Sequence, residues 1–208
     1  MSAHESFPQA HVLGDLSDPS RHGDAKTSVA RTSRVLLRKE PGGRYIVRRE
    51  LARGGMGVIH AVHDQDLDRI SAMKVIAQEQ MKNEPKLSAF VREARITALL
   101  EHPNIVPVHE IGMLTPHGAP YYTMKKVSGE SLLHVIERLG EGDREYLAKY
   151  SRHRLLDIFR KVCDAISYAH SRHVIHRDIK PENIMLGDFG EVVLMDWGLA
   201  KSLDQQDE

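Results

Sequence analysis

The octet HRDIKPEN at residues 176–183 constrains the fold and chemistry of this chain more than any other stretch. It places Asp178, Lys180 and Asn183 close together, directly after a long amphipathic segment. An aspartate can accept the proton of a hydroxyl group, a lysine can neutralise a phosphate in transfer, and an asparagine can serve as a neutral metal ligand. The three side chains together indicate a loop suited to phosphoryl transfer.

The segment before the octet, RLLDIFRKVCDAISYAH, has the period of an amphipathic helix. Its apolar residues recur at steps of three and four and form one stripe, which consists of Leu155, Phe159, Val162, Ile166 and Ala169. We therefore predict a helix that must bury this stripe against a partner.

Residues 45–127 carry a pattern of short strands around a single helix. The runs RYIVRRELA, VIHAV and ISAMKVI predict three antiparallel strands joined by turns. SAFVREARITALLEH has apolar residues at helical spacing and is stopped by Pro103, which predicts a helix packed on one face. IVPVHEIGML and PYYTMKKV predict two further strands, residues 131–139 a short helix, and the polar stretch GEGDREYLAKYS a loop.

Composition excludes several classes of protein. Residues 1–44 offer too little apolar surface to offset chain entropy, so we predict a flexible extension there. Lys and Arg total 29 and Asp and Glu total 29, so no overall charge favours nucleic acid as a partner. The single cysteine, Cys163, excludes a disulfide framework and fits a cytoplasmic setting. No stretch approaches the ~20 apolar residues that span a bilayer, so we expect no membrane segment.

A glycine-rich stretch, LARGGMGVI, lies between the first two predicted strands. Gly54, Gly55 and Gly57 would let the backbone fold over a phosphate chain and present amide N–H groups to its charge. A plain turn between two strands would have the same composition. The stretch alone therefore leaves both interpretations open.

Lys74 lies in an apolar strand, flanked by Met73 and Val75. Its charge would point inward only if an anion waits there, because an unpaired buried ammonium group is severely penalised. Glu93 in the following helix is a natural counter-charge, although an ordinary exposed glutamate would give the same pattern. The other interpretation is a lysine that reaches solvent from the end of a strand.

With these motifs, residues 45–201 resemble the N-terminal portion of a eukaryotic-like, bacterial-type serine/threonine protein kinase domain. The resemblance implies an α+β fold: an antiparallel β N-lobe with one helix, residues 45–127, and the incomplete start of a helical C-lobe, residues 128–208. It also implies ATP-dependent phosphoryl transfer to serine and threonine hydroxyls of a protein substrate, with ATP and Mg²⁺ as cofactors.

The resemblance implies a role for each matching residue. Asp178 would accept the proton of the substrate hydroxyl, and Lys180 would steady the γ-phosphate. Lys74 would contact the α- and β-phosphates and pair with Glu93, while Asn183 would hold magnesium. The residues expected to bind the nucleotide are Leu51, Ala52, Gly54, Gly55, Gly57, Ile59, Ala72, Lys74, Met124 and Met185, with the backbone of residues 125–127 along the edge of the base. The sequence departs from the family pattern at Ala52, where the first loop glycine is expected, and at Lys125, where an acid is common.

Two tripeptides, Asp188-Phe189-Gly190 and Asp196-Trp197-Gly198, could supply the magnesium aspartate of this family. Asp188 follows Asn183 so closely that only one strand fits between them. We therefore predict that IML and EVVLM form a hairpin closed by the turn GDFG, and that Asp196 is the metal ligand. The alternative assigns the metal to Asp188.

After Gly198 the resemblance ends in LAKSLDQQDE, where the family continues with an activation segment and further helices. We therefore expect a truncated domain with weak activity in isolation. The stripe on the predicted helix would then lie exposed, and another protein chain could cover it. A catalytically poor nucleotide-binding or interaction module derived from a kinase is the competing function.

Overall fold

The computed structural model describes residues 41–114 and 118–203. The predicted extension, residues 1–44, lies outside the described residues except for its last four, which form helix α1 (Pro41–Arg44). The guanidinium group of Arg44 donates hydrogen bonds to Asp64 (2.8 Å) and to Glu110 (2.7 Å). The folded domain therefore begins at least one residue before the predicted boundary at Tyr45.

An antiparallel five-stranded sheet with the order β1-β2-β3-β5-β4 forms the N-terminal half. The strands are β1 (Tyr45–Arg53), β2 (Gly57–Asp64), β3 (Arg69–Ile76), β4 (Val108–Leu114) and β5 (Ala119–Lys125). The predicted five strands are all present. The fourth begins later than predicted, after Pro107, whose ring nitrogen cannot donate to a strand ladder.

Helix α2 (Glu84–Leu99) packs on this sheet. It begins one turn before the predicted start because Asn83 caps it, its side-chain oxygen accepting a hydrogen bond from the N–H of Lys86 (3.2 Å). Phe90 and Ala94 are buried in the apolar cluster that joins the helix to the sheet. This face also turns Glu93 toward β3.

Three helices follow: α3 (Leu132–Gly140), α4 (Arg144–Lys149) and α5 (Arg152–Ser171). The antiparallel sheet with one helix packed on it, followed by a helical region, confirms the predicted α+β architecture. Of the described helices, none has the length and apolar composition that a bilayer crossing requires.

Helix α4 lies within GEGDREYLAKYS, where the prediction of a loop was wrong. Asp143 caps the helix by accepting hydrogen bonds from the N–H groups of Glu145 (2.8 Å) and Tyr146 (3.2 Å). The hydroxyl groups of Tyr146 and Tyr150 both donate to Glu130 (2.6 and 2.9 Å). A cap and a distant carboxylate thus order a segment whose composition is polar.

Helix α5 spans the predicted segment, but its buried face is centred elsewhere. A second apolar cluster, which we call the lower core, includes Val135, Leu194 and Trp197. The residues that α5 buries in it are Ile158, Val162, Ala165 and Ala169. Leu155 and Ile166 pack against that core, whereas Phe159 is 66% exposed. The prediction that the whole stripe lies exposed was therefore wrong, because residues 184–200, among them Ile184, Leu194 and Trp197, share this core and cover most of the stripe.

The predicted hairpin is present as β8 (Ile184–Gly187) and β9 (Val192–Leu194), which pair antiparallel around a turn at Asp188–Gly190. β6 (Gly129–Ser131) adds to the outer side of β8. β7 (Val174–Ile175) pairs with β10 (Lys201–Ser202). The octet therefore forms the loop between β7 and β8, and Asp196 lies between β9 and β10.

Candidate active site

A cavity of about 530 Å³ lies between the five-stranded sheet and the octet loop. The turn between β1 and β2 closes it on one side, and Asp178, Asn183 and Asp196 line it on the other. Its size is within the usual range of ~300–1,000 Å³ for small-molecule sites. The cavity brings together segments that are far apart in the sequence.

The glycine-rich turn faces this cavity with exposed backbone. Gly54 and Gly57 bond each other, the N–H of each donating to the carbonyl oxygen of the other (2.9 and 3.3 Å). No described residue accepts from the N–H groups of Gly55 and Met56, which remain available to a ligand. A Cβ atom at Gly57 would lie 2.1 Å from the carbonyl oxygen of Val75, so only glycine fits there.

Lys74 and Glu93 form a buried ion pair at the inner end of the cavity. The Nζ atom of Lys74 lies 2.6 Å from Oε1 and 2.8 Å from Oε2 of Glu93. The side chains are only 14% and 3% exposed. Lys74 therefore points inward, as the ion-pair interpretation expects, and its charge is balanced.

Tyr122 is a third member of this cluster that sequence reasoning missed. Its hydroxyl group donates to Oε1 of Glu93 (2.7 Å). Burial and the negative charge of Glu93 hold the pKa of Tyr122 well above its ordinary value, so the hydroxyl group stays a donor. The signal was available: Tyr122 lies two positions before Met124 on a predicted strand, and alternate residues share a face.

The octet loop gathers its polar side chains around Asp178. The ammonium group of Lys180 lies 2.9 Å from the Asp178 carboxylate, and Nδ2 of Asn183 donates to the same carboxylate (3.0 Å). The hydrogen bond from Lys180 holds the pKa of Asp178 below its ordinary value, and Asp178 in turn raises the pKa of Lys180. Asp178 is therefore ionised at neutral pH.

His176 supports this loop from beneath. Its Nε2 donates to the carbonyl oxygen of Met195 (3.0 Å), and its Nδ1 accepts from the N–H of Asp178 (3.2 Å). Burial lowers the pKa of His176, which keeps the imidazole neutral and able to do both. The histidine thus links the loop at Asp178 to Met195, the residue directly before Asp196.

The structure brings Asp196 to the cavity and leaves Asp188 outside it. Asp196 lines the cavity with Asp178 and Asn183, and its Oδ1 accepts from the N–H of Gly198 (3.3 Å). Asp188 lies in the turn of the β8–β9 hairpin, where neighbouring Phe189 is fully exposed.

Some of the residues expected around the adenine base line the apolar part of the cavity. They are Ala52, Ile59, Met124 and Met185. Leu51 and Ala72 do not line it; they pack in the apolar cluster that contains Ile59 and Met124. Sequence reasoning missed further lining residues, among them Thr97, Val106 and Met195.

The backbone of residues 125–127, expected along the edge of the base, already forms a hydrogen bond within the protein. The N–H of Lys125 donates to the carbonyl oxygen of Pro107 (3.0 Å) and is therefore not available to a ligand. The ammonium group of Lys125 forms an ion pair with Glu191, the residue directly before β9.

Comparison with known proteins gives a consistent picture. The model of the protein kinase domain family matches residues 45–208. The chain is 42% identical over 160 residues to the serine/threonine-protein kinase PknD of Chlamydia muridarum, covering 76% of this chain and 17% of that protein. It is 38% identical over 168 residues to PknD of Chlamydia felis, covering 79% and 18%. It is 38% identical over 170 residues to PknD of Protochlamydia amoebophila, covering 79% and 17%. The chain thus spans less than a fifth of the length of these curated relatives.

Proposed function

The chain belongs to the protein kinase family, and on this basis we propose that it catalyses ATP-dependent phosphoryl transfer to serine and threonine hydroxyls of proteins. One observation carries the proposal. The Lys74–Glu93 pair, Asp178, Asn183 and Asp196 surround a single cavity, although they come from four separate parts of the chain.

The donor groups of the site suit ATP and Mg²⁺. Mg²⁺ prefers oxygen ligands, and the Asp196 carboxylate and Asn183 amide oxygen line the same cavity. The side-chain nitrogen of Asn183 donates hydrogen bonds to Asp178, so the side-chain oxygen of Asn183 is left for a metal ion. We assign these two residues as the magnesium ligands. When bound, the ion would neutralise charge on the phosphates.

The nucleotide would lie with its base among Ile59, Met124 and Met185 and its phosphates beneath the glycine-rich turn. The free N–H groups of Gly55 and Met56 would donate to the phosphates. Lys74, held inward by Glu93, would place its positive charge beside them.

In the proposed reaction, the hydroxyl oxygen of a substrate serine or threonine bonds to the γ-phosphorus of ATP. The bond from that phosphorus to the bridging oxygen breaks, ADP leaves, and the hydroxyl proton passes to Asp178. The lowered pKa of Asp178 keeps it an acceptor at neutral pH. Lys180, beside that carboxylate, would neutralise the group in transfer.

The test is transfer of labelled γ-phosphate from ATP to a generic protein substrate such as casein, followed by identification of the phosphorylated residue. We expect phosphoserine and phosphothreonine from the wild type, and a loss of about 10²-fold or more in Lys74→Met and Asp178→Asn. Lys82→Met, at an exposed position, and Asp188→Asn, outside the cavity, are the matched controls.

Transfer that survives Asp178→Asn, or transfer to tyrosine alone, would contradict the proposal. Binding of Mg-ATP without transfer under any condition would favour the nucleotide-binding module.

A further inference from the structure

Tyr122 and Lys74 are direct neighbours on adjacent strands, paired in register between β5 and β3. Their side chains therefore leave the same face of the sheet. Both meet the same group, because Oε1 of Glu93 accepts from Lys74 (2.6 Å) and from Tyr122 (2.7 Å). Among the described residues, the Glu93 carboxylate has no other hydrogen-bond donor.

The two donors differ in stiffness. Lysine carries its charge on a flexible four-carbon stem, whereas the tyrosine hydroxyl is fixed to a rigid ring. That ring is 4% exposed and packs against Phe90, with centroids 5.3 Å apart. Phe90 lies one turn before Glu93 on α2, so the helix meets Tyr122 through two successive turns. The Tyr122 hydroxyl group is therefore the donor whose position is fixed, and it limits the movement of the Glu93 carboxylate.

We propose that Tyr122 is a positioning residue whose hydroxyl group holds the Glu93 carboxylate toward Lys74 and thereby keeps the lysine ammonium group aimed into the cavity. The role of that ammonium group rests on the proposed function, whereas the hydrogen bond itself requires neither nucleotide nor protein substrate. Without the hydroxyl group, Glu93 would be left with one flexible partner, and the ion pair would open more often.

The chain contains a matched control for this role. Tyr121 is the preceding residue of β5, is equally buried at 2% exposure, and points to the opposite face of the sheet. Its hydroxyl group also donates to a glutamate, Oε1 of Glu110, at 2.9 Å. Tyr121→Phe and Tyr122→Phe therefore remove the same atom from comparable surroundings, and only the second touches Glu93.

The experiment measures how fast the Lys74 amine reacts with acetic anhydride in the ligand-free 208-residue chain, by quantitative mass spectrometry of its peptides. Lys161 is the internal reference, since its ammonium group is bound to Gly190 (3.0 Å) and Asp157 (3.0 Å) far from Glu93. Glu93→Gln provides the rate for a broken pair.

We expect Lys74 in Tyr122→Phe to react about tenfold faster than in the wild type, equivalent to about 1.4 kcal/mol. Tyr121→Phe should leave the Lys74 rate unchanged, and the Lys161 rate should be the same in all variants. A Lys74 increase below about threefold would overturn the inference, as would an equal increase in Tyr121→Phe or at Lys161. Because no phosphoryl transfer is measured, the result stands whether or not the kinase assay succeeds.

Discussion

The indole ring of Trp197 and the imidazole ring of His176 lie 4.5 Å apart, centroid to centroid, at an interplanar angle of 58°. Both side chains are buried, each with 1% exposure. Trp197 follows Asp196, and the Nδ1 atom of His176 accepts a hydrogen bond from the N–H of Asp178. The ring contact therefore fixes the segment of the proposed metal ligand against the loop of the proposed proton acceptor.

Replacing Trp197 with alanine should lower the free energy of unfolding by about 3–5 kcal/mol, because it leaves a large cavity in the lower core. Urea denaturation followed by circular dichroism measures the loss. Phe189→Ala removes the aromatic ring of the other tripeptide, which is fully exposed, and should change stability by less than about 0.5 kcal/mol. Equal losses in the two variants would contradict the packing described for Trp197.

Glu130 should stabilise the fold in a pH-dependent way. Burial acts to raise its pKa, but hydrogen bonds from Tyr146, Lys149 and Tyr150 outweigh burial and hold the pKa below the ordinary value. The folded state thus binds this proton more weakly than the unfolded chain. The contribution of Glu130 is complete above the ordinary glutamate pKa of about 4.3 and is lost as the pH falls through the lower, folded-state pKa.

We expect Glu130→Gln to be less stable than the wild type by about 1–2 kcal/mol at neutral pH, with a difference that shrinks below about pH 4.3. Urea unfolding across this range measures it. Glu137→Gln, at an exposed position of α3, should track the wild type throughout. A Glu130→Gln difference that stays constant with pH would show that the carboxylate charge is not the cause.

Two glycines of the turn between β1 and β2 should differ in how much stability they lose on substitution with alanine. At Gly57 the added methyl group meets the Val75 carbonyl oxygen, so Gly57→Ala should cost about 1–3 kcal/mol of unfolding free energy. At Gly54 nothing lies within 4 Å, and Gly54→Ala should cost less than about 0.5 kcal/mol. Thermal or urea denaturation distinguishes them, and a larger loss at Gly54 would be inconsistent with the observed register of β2 and β3.

Local patterns in the sequence were sufficient to predict the five strands of the main sheet and helices α2, α3 and α5, but not the short strands β6, β7 and β10. The β8–β9 hairpin was predicted from the resemblance, which implies a magnesium aspartate at the end of a strand that leaves the octet loop, and from the spacing. The residues between Asn183 and Asp188 allow one strand and no return. The pairing of Lys74 with Glu93 was predicted from the resemblance to the kinase family. The residues around Lys74 indicated only that an inward-pointing ammonium group would need a counter-charge, and they did not identify it.

Features that depend on tertiary contacts could not be predicted in the same way. Helix α4 is ordered by Tyr146 reaching Glu130, a residue of another element. On α5, two neighbouring faces of the helix both carry apolar residues. Only the position of the core decides that Ile158 is buried and Phe159 is exposed. For Tyr122, the sequence indicated the face of the strand that it shares with Met124, but not that its hydroxyl group meets Glu93.

Calorimetric titration with ATP, in the presence and absence of Mg²⁺, tests most directly whether Asp196 and its neighbours form one nucleotide–metal site. We expect Mg²⁺ to strengthen ATP binding to the wild type and to Asp188→Asn, and to have no such effect on Asp196→Asn. Loss of the Mg²⁺ effect in Asp188→Asn, with its retention in Asp196→Asn, would contradict the proposed site.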